Sequence, residues 1–271
     1  MDYQILKRSD AAYPKKLQER LGSEAPATIC HYGPLNHLDL FTMAVISADS
    51  INGLAMMAAN QVLFTVREYA MNYIGGWHSV METEIFRLGL FRPNVRLTLF
   101  SAKGLGRETF ESFLNDRFCP PLHEFPEREE YERRAGAGEL LILSLTNPRE
   151  GRTHKKNVVA RNWTACALAD VVFVPFADFG TKTLAMAERV VKAGIPIFTT
   201  DHESNRPLHA LGVAALNRKS TGEYLERLGA VKAEIKENHK KTIVLSDTVQ
   251  ESSPEYQSQE QTALWDGKRS S

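Results

Sequence analysis

Residues 157–199 decide the fold, and they read NVVARNWTACALADVVFVPFADFGTKTLAMAERVVKAGIPIFT. Within them, Val171–Val174 and Pro196–Thr199 are short apolar runs with little polar alternation. Such runs are typical of parallel strands that are buried on both faces of a sheet. Asn157–Ala169 and Thr181–Ala193 have the apolar spacing of helices. The order helix, strand, helix, strand predicts an α/β sheet with right-handed crossovers.

The same alternation continues through most of the chain and extends the predicted sheet. Further buried strands are predicted at Met43–Ile46, at Arg96–Phe100, at Leu140–Leu143 and just before Gly75-Gly76. Additional helices are predicted after Gly53, where apolar residues recur at steps of three and four, and over Glu82–Leu90. We therefore predict an α/β fold with a Rossmann-like, doubly wound and mostly parallel sheet.

The segments outside this sheet divide the chain into four predicted regions. They are an N-terminal preface packed on the sheet (1–40), the Rossmann-like domain (41–216), a C-terminal helix and edge strand (217–245) and a tail (246–271). The third region contains a charged helix, roughly Thr221–Lys240, and the edge strand Thr242–Leu245. The tail is rich in Ser, Gln and Glu and has few apolar residues, so we expect it to be disordered.

Composition excludes several classes of protein. The chain has 33 Lys and Arg against 33 Asp and Glu, so it has no bulk positive charge with which to coat DNA. No stretch approaches the roughly 20 apolar residues of a membrane span, and the first residues lack the apolar core of a signal peptide. The three scattered cysteines form neither a disulfide framework nor a zinc pattern. We expect a cytoplasmic protein with reduced thiols, no metal, no cofactor and no membrane partner.

Ligands of open α/β sheets bind where loops leave the carboxyl ends of the strands, so candidate site residues are sought there. The predicted loops are Ser47–Gly53, Gly75–Glu82, Ser101–Gly106, Ser144–Arg161 and Pro175–Thr183. In the second loop, Gly75 and Gly76 let backbone approach a ligand closely. Glu82 opens the following helix, either as a catalytic carboxylate or as an acidic residue favoured by the helix dipole. Trp77 is a candidate for base stacking or a core tryptophan.

The loops that follow the first and last central strands contain candidate phosphate ligands. Ser47 and Ser50 could hold a phosphate, although Ser50 or Asn52 could equally be a helix N-cap. Gly180-Thr181 at a helix start presents free amides to a phosphate, and Lys182 adds charge. Asp178 is either an N-cap or a catalytic carboxylate. The same loop contains two further candidates for base stacking, Phe176 and Phe179.

Basic residues crowd the fourth loop of this otherwise neutral chain. They are Arg149, Arg152, Lys155, Lys156 and Arg161, followed directly by Asn162, with only Glu150 opposing them. This is the best local candidate for contacts with a phosphate backbone, although a solvated loop would also have this composition. Arg161 lies inside a predicted helix, where burial of an unpaired guanidinium is costly, so we expect an anionic partner beside it.

In combination, these segments resemble the DNA-processing protein A (DprA/Smf) family and the wider superfamily that it shares with the LOG phosphoribohydrolases. The resemblance covers roughly residues 11–216 and depends on order and spacing, because no single motif is intact. The matching segments are Tyr13-Pro14 with Leu17, Pro26 and Tyr32-Gly33, then Met43–Gly53, Gly75–Leu90, Arg161-Asn162 and Phe179–Ala185. Gly76 and Glu82 fall on the family's Gly and Asp, and Arg161-Asn162 falls on its Arg-Asn pair.

Three positions depart from the family pattern. Asp49 stands where the family has the Arg of its GSR loop, and Phe86 stands where it has a His. The Glu of the LOG-type GTxxE motif is also absent near Thr183-Leu184, and no C-terminal winged-helix domain is recognisable. The resemblance therefore implies a diverged member.

The resemblance implies two main functions. One is DNA binding, on single strands or extruded nucleotides, by phosphate contacts from the basic residues and by aromatic stacking. The other is hydrolysis of an N-glycosidic bond by Glu82 and Asp178, as in a DNA glycosylase or a nucleotide N-ribohydrolase that acts in DNA damage or anti-phage defence. A nucleotide sensor without turnover is a third hypothesis. The partner is then DNA or a nucleotide, and a homodimer is left open.

Overall fold

The computed structural model describes residues 2–122 and 125–234, which belong to one compact unit. The strands are β1 (Gln4–Lys7), β2 (Thr28–Tyr32), β3 (Thr42–Val45), β4 (Tyr69–Gly75), β5 (Val95–Ser101), β6 (Leu140–Ser144), β7 (Val171–Phe173), β8 (Ile197–Thr200), β9 (Ala214–Leu216) and β10 (Val231–Lys232). The α-helices are α1 (Lys15–Leu21), α2 (Gly53–Val66), α3 (Val80–Leu90), α4 (Phe110–Asp116), α5 (Glu127–Gly136), α6 (Lys155–Leu168), α7 (Lys182–Lys192), α8 (Arg206–Ala210) and α9 (Arg218–Arg227).

The strands form one large sheet in the order β1-β2-β6-β5-β4-β3-β7-β8-β9. From β6 to β9 all neighbouring strands are parallel, and β1 and β2 add an antiparallel edge. The chain starts this parallel part at β3, moves outward to β6, and returns to β7 on the other side of β3. This is the doubly wound, mostly parallel sheet predicted from the sequence, and the strand order reverses between β3 and β7.

Helices cover both faces of the sheet, because the strand residues point alternately to one face and the other. On one face, Met43, Tyr73 and Leu97 pack against apolar residues of α2, α3, α5 and α9. On the other face, Ala44 and Ile74 pack against α1, α6, α7 and α8. Apart from Arg96 in β5, the residues of β3, β5 and β6 are buried, which is why their sequences show little polar alternation.

The predicted strands and helices of the Rossmann-like region are confirmed, with shifts of at most two residues at their ends. The N-terminal preface contributes β1 and β2 to the sheet edge and packs Tyr13 and Leu17 into the core. The exact limits of the four predicted regions stay predictions.

The charged helix predicted over Thr221–Lys240 is shorter in the described part of the chain. It is α9, which ends at Arg227, and Gly229 then adopts a left-handed conformation with φ of 95°. Glycine in this conformation commonly terminates a helix. The next residues, Val231 and Lys232, pair antiparallel with the start of β4 instead of continuing the helix. The predicted edge strand Thr242–Leu245 and tail 246–271 lie outside the described residues.

Between β5 and β6 the sequence analysis assigned no structure, yet this region contains α4 and α5. Helix α5 has the sequence EREEYERRAG, in which Tyr131 and Ala135 supply most of the apolar contact. So few apolar residues leave no clear helical periodicity to detect. Among the residues that the structure describes, no helix has the length and apolar content needed to span a bilayer.

Candidate nucleic-acid interface

The carboxyl ends of the central strands lie side by side. Val45 at the end of β3 is in register with Gly75 of β4 and Phe173 of β7. Ser101 at the end of β5 is in register with Ser144 of β6. The five loops named from the sequence therefore leave the same edge of the sheet, and the reversal of strand order places those after β3 and β7 beside each other.

The loop from β4 to α3 turns sharply at Trp77, which has a left-handed backbone with φ of 60°. This conformation costs a non-glycine residue about 1 to 2 kcal/mol. Burial of the whole indole in the core and a hydrogen bond from its Nε1 to the carbonyl of Thr98 (3.1 Å) offset that cost. Ser79 then caps α3, since its hydroxyl accepts from the amide of Glu82 (3.2 Å). The turn directs Gly76 and residues 78–82 toward the neighbouring strand ends.

Glu82 lies in the first turn of α3 and is only 6 % exposed. Its Oε1 accepts a hydrogen bond from the amide of Ser47 (3.0 Å), and its Oε2 accepts from the amide of His78 (2.9 Å). Burial raises the pKa of this carboxyl, while these amides and the nearby Arg161 act in the opposite direction. Glu82 thus ties the loop after β3 to the loop after β4.

Arg161 projects from α6 to the same place and is 3 % exposed. Its Nε donates to Oδ1 of Asn162 (3.0 Å), and its Nη1 lies 3.5 Å from the carbonyl oxygen of Phe100. A side chain at position 76 would overlap the guanidinium, so Gly76 is required for this approach. Burial, and the charge of Arg117, lower the pKa of Arg161 to about 9, so it stays cationic at neutral pH. Among the described residues no carboxylate forms an ion pair with it.

A second buried arginine, Arg117, supports this group from the segment after α4. Its Nη2 donates to Oε1 of Glu108 (2.9 Å) and to the hydroxyl of Ser101 (3.1 Å). The Ser101 hydroxyl in turn donates to Glu108 (2.8 Å). All three side chains are buried, so the Arg117–Glu108 pair is held in a fixed geometry.

His78 completes the group and shows how closely its charges are coupled. Nη1 of Arg117 lies 3.1 Å from Nε2 of His78. Because a guanidinium only donates, the imidazole accepts at Nε2 and has its proton on Nδ1. Burial, with the charges of Arg161, Arg117 and Lys103, lowers the pKa of His78 to about 2. His78 is therefore a neutral imidazole beside two buried guanidinium groups. We call these residues the strand-end cluster: His78, Glu82, Ser101, Glu108, Arg117 and Arg161.

The sequence indicated two members of this cluster, Glu82 and Arg161, and did not single out the other four. Ser101 and His78 lie on loops that it named, but a single serine or histidine has no distinguishing pattern. Glu108 and Arg117 lie in the region that it left unassigned. Their pairing depends on the fold between β5 and α5, so no local motif indicates it.

The loop after β3 places Ser47 against Glu82 of the strand-end cluster and leaves Ser50 away from it. Ser47 is buried, and its hydroxyl has no hydrogen-bond partner among the described residues. Ser50 is exposed. Asn52 is the N-cap of α2, since its Oδ1 accepts from the amide of Ala55 (2.9 Å), which confirms one of the two alternatives.

The loop after β7 joins the loop after β3 through a hydrogen bond from the amide of Ala48 to the carbonyl of Phe176 (3.0 Å). The N-cap of α7 is Thr181, which accepts from the amide of Leu184 (3.2 Å), so Asp178 is not the N-cap. Asp178 is exposed, and its carboxylate accepts from the next amide, that of Phe179 (2.7 Å). Gly180 is exposed with a φ of 73°, and Lys182 is exposed beside it.

The three aromatic residues named for base stacking differ in placement. Trp77 is 0 % exposed and lies against Phe86, so it is the core tryptophan of the two alternatives and cannot stack on a base in this conformation. Phe176 is also buried, against Ala48 and Ala55, so in this conformation its ring is not available to stack on a base either. Phe179 is 75 % exposed at the strand-end edge, where an aromatic ring is available to a ligand.

The basic loop before α6 is exposed along most of its length. Arg149, Arg152, Lys155 and Lys156 all reach solvent, the last two in the first turn of α6. Backbone contacts join this loop to the one after β5, including a hydrogen bond from the amide of Gly104 to the carbonyl of Glu150 (2.8 Å). The structure thus brings the exposed cations to the same edge of the sheet as the buried Arg161, which lies in the second turn of the same helix.

Two further observations concern other ligands. Within residues 2–122 and 125–234, no group of three His, Cys, Asp or Glu side chains is placed to hold a metal ion. A depression of about 580 Å³ is lined by residues such as His37, Arg96 and Glu139. These residues lie at the amino ends of the strands, on the edge opposite the strand-end cluster.

Comparison with known proteins identifies the architecture. No protein-family model matches the sequence, and no curated protein does. The structure is similar to that of DNA processing protein A from Streptococcus pneumoniae, with a TM-score of 0.65, 17 % identity, and coverage of 84 % of this chain and 74 % of that chain. It is also similar to DNA processing protein A from Helicobacter pylori, a single-stranded DNA-binding protein, with a TM-score of 0.59, 18 % identity, and coverage of 84 % and 97 %. The chain therefore has a DprA-like fold, as the order of its motifs indicated.

Proposed function

We propose that this protein binds DNA, as single strands or extruded nucleotides, through a phosphate site at the carboxyl ends of its central strands. The observation that carries the proposal is Arg161, a buried cation against Gly76 that forms no salt bridge among the described residues, since the nearby carboxylate of Glu82 accepts two backbone amides instead. Burial of an unpaired charge is unfavourable, so an anion that reaches the guanidinium would be stabilised there. A backbone phosphate is such an anion.

The surrounding residues extend the site in a way that suits a polyanion. Arg149, Arg152, Lys155, Lys156 and Lys182 are exposed at the same edge and would contact further phosphates. Ser47, Gly75, Gly76, Asn162, Gly180 and Thr181 lie on the same loops or the facing helix, and Phe179 offers a ring for stacking. Similarity to the H. pylori protein, which binds single-stranded DNA, supports a single strand as substrate. We also propose that the Rossmann-like domain spans residues 41–216 and that the protein is located in the cytoplasm.

The alternative, an N-glycosidic hydrolase, finds little support in this geometry. A catalytic carboxylate must contact the reacting sugar or its water. Both oxygens of Glu82 instead accept backbone amides, and the exposed Asp178 accepts an amide of its own loop. We therefore assign Glu82 the role of a positioning residue that holds the Ser47 and His78 loops together.

The test of the proposal is titration of a labelled single-stranded oligonucleotide with the full chain and with Arg161→Gln, at several salt concentrations. We expect salt-dependent binding by the wild type and about tenfold or greater loss in the variant, as for removal of a charged hydrogen bond. Arg128→Gln, at an exposed arginine of α5, is the matched control. Circular dichroism and melting curves establish that Arg161→Gln is folded. Equal affinity in a folded Arg161→Gln would contradict the proposal.

A further inference from the structure

A groove runs between α6 and α7 on the outer surface of the protein, away from the strand-end cluster. It has a volume of about 690 Å³. Its lining consists of Lys155, Lys156, Val159, Ala160, Trp163 and Arg189. Val159 is 39 % exposed and Ala160 is also exposed, so the groove has an apolar floor that is open to solvent. We call this depression the α6/α7 groove.

The charges of the α6/α7 groove all have the same sign. Three of its residues are cations, Lys155, Lys156 and Arg189, and none is acidic. In the part of the chain that the structure describes, none of these cations forms an ion pair; neighbouring Glu188 pairs with Lys192 instead (2.7 Å). A ligand that fits this groove therefore combines apolar surface with negative charge.

The aromatic residue of the groove is already oriented. The guanidinium of Arg189 lies 3.8 Å from the centroid of the Trp163 ring, a cation–π distance. The guanidinium covers one face of the indole and Trp163 is half-buried, so the arginine and the indole present one joint surface to the groove. A planar ring beside cations is the arrangement with which proteins bind the bases and phosphates of single strands. In a duplex the faces of the bases are stacked on each other and unavailable.

Helix α6 connects this groove to the strand-end cluster. Val159 and Arg161 are two residues apart, about 200° around the helix, so they face opposite directions. Arg161 points to the buried strand ends, whereas Val159 points to the groove. Lys155 and Lys156 line the groove and also form the first turn of α6, which begins at the strand-end edge of the sheet. A single strand whose phosphate occupies the Arg161 site can pass these lysines and enter the groove.

We propose that the α6/α7 groove is a second subsite for single-stranded nucleic acid, in which a base packs on Val159, Ala160 and the stacked Arg189–Trp163 pair, and phosphates contact Lys155 and Lys156. This inference rests on the proposed function, since it extends the path of the same strand. It also assigns roles to Val159, Trp163 and Arg189, which the strand-end cluster does not use.

The experiment compares two oligonucleotide lengths, about four and about sixteen nucleotides, the range of site sizes for single-strand binding folds. Val159→Glu places a carboxylate on the groove floor. We expect the longer oligonucleotide to lose about tenfold in affinity, the loss typical of one stacked base, and the shorter one to bind as to wild type. Ile5→Glu, at an exposed apolar residue of β1, is the matched control. Ala160→Glu is the second variant if Val159→Glu does not fold.

Fluorescence gives an independent readout. The longer oligonucleotide should quench tryptophan emission in the wild type, and Trp163→Phe should remove most of that quenching while Trp77 and Trp265 remain. Unchanged affinity of folded Val159→Glu for the longer oligonucleotide would overturn the subsite. Binding of a polyglutamate peptide at the groove, without binding of the oligonucleotide there, would also overturn the subsite. Equal loss for both lengths in Arg161→Gln only tests the strand-end cluster, and failure of wild type to bind either length refutes the proposed function itself.

Discussion

Substitution of Glu82 separates a positioning role from a catalytic one. In Glu82→Gln the side chain can accept only one of the two backbone amides, from Ser47 and His78, that the carboxylate accepts. A buried amide left without its partner costs about 1 to 3 kcal/mol. We expect the free energy of unfolding to fall by about that amount, measured by urea denaturation, and neither protein to release a base from DNA.

The same assay also defines the result that would contradict a purely positioning role for Glu82. Base release by the wild type, detected as alkali-labile abasic sites, together with its loss in a folded Glu82→Gln that still binds DNA, would support the glycosidase hypothesis. Glu84→Gln is a suitable control. It lies on the same helix, and its carboxylate is partly exposed and pairs with Arg87 (3.0 Å).

Burial of His37 makes the free energy of unfolding depend on pH. It is 3 % exposed, and burial, with the charges of Arg96 and Arg134, lowers its pKa to about 4. The unfolded chain takes up this proton near pH 6.5, whereas the folded chain does so only near pH 4. Acid therefore favours the unfolded chain, and we expect His37 alone to reduce the free energy of unfolding by about 1 to 2 kcal/mol between pH 6.5 and 5.

Urea denaturation of wild type and His37→Gln at both pH values measures this contribution as a difference in slope. The buried histidines His31 and His78 also have a lowered pKa, so they act in the same direction in both proteins and cancel. Carboxylates with a lowered pKa, such as Glu130 and Glu139, titrate below this window. Identical slopes for the two proteins would show that His37 does not contribute.

At the residue scale, the sequence identifies positions whose chemistry is locally unusual. A guanidinium inside a helical pattern and a carboxylate after paired glycines are unusual in this sense, and Arg161 and Glu82 do lie together. The Arg117–Glu108 pair and its contact with His78 could not be predicted. These contacts join loops from different strands, and no spacing in the sequence indicates which side chains meet across a sheet edge.

At the scale of the element, the exposed cations of α6 and of the loop before it determine the salt dependence that we expect for DNA binding. Arg152, Lys155 and Lys156 are exposed at its start. Their joint replacement by Gln should weaken binding to single strands of all sequences. It should also reduce the slope of log affinity against log salt by up to about 2, since each lost phosphate contact contributes about 0.7. Titrations over a range of salt concentrations measure both quantities.

A charge-matched control uses Lys7, Lys15 and Arg128, which are exposed on other elements. Their replacement changes the net charge equally, so it corrects for any general electrostatic effect. If the two triple variants show the same salt slope, the loop before α6 is not part of the interface.

Elements were predictable where their apolar pattern was strong. The buried strands β3, β6 and β7 contain no charged residue and β5 contains only Arg96, so composition alone indicates them. Helix α5 and the short strand β9 were missed. In α5 nearly every residue is charged, and β9 has three residues only, too few for periodicity to be observed.

At the scale of the whole molecule, the class of fold follows from the alternation of strands and helices, but the order of the strands does not. The sequence gives no direct sign that the chain starts in the centre of the parallel sheet and reverses beside β3. Nor does it show that β1 and β2 extend that sheet in the antiparallel direction. Both features depend on contacts between segments that are distant in the chain.

The whole molecule also supplies a prediction about truncation. Within the described residues, the apolar clusters on both faces of the sheet extend as far as Ala230. We expect deletion of 246–271 to leave the melting temperature and the affinity for single-stranded DNA unchanged, because few apolar residues are removed. Differential scanning calorimetry and titration of the shortened chain measure both. A large drop in melting temperature would show that Leu264-Trp265 contributes to the fold.

The contact of Gly76 with Arg161 has a genetic consequence. Because the guanidinium occupies the space of the missing side chain, Gly76→Ala should be damaging only while Arg161 is present. In an Arg161→Ala background the three atoms nearest to the added methyl group, all of them in the guanidinium, are removed, so the second substitution should restore part of the stability that Gly76→Ala removes. The two positions should thus behave as a suppressor pair, in which one mutation relieves the other. Among natural relatives, a residue larger than glycine at position 76 should occur only where position 161 has a shorter side chain.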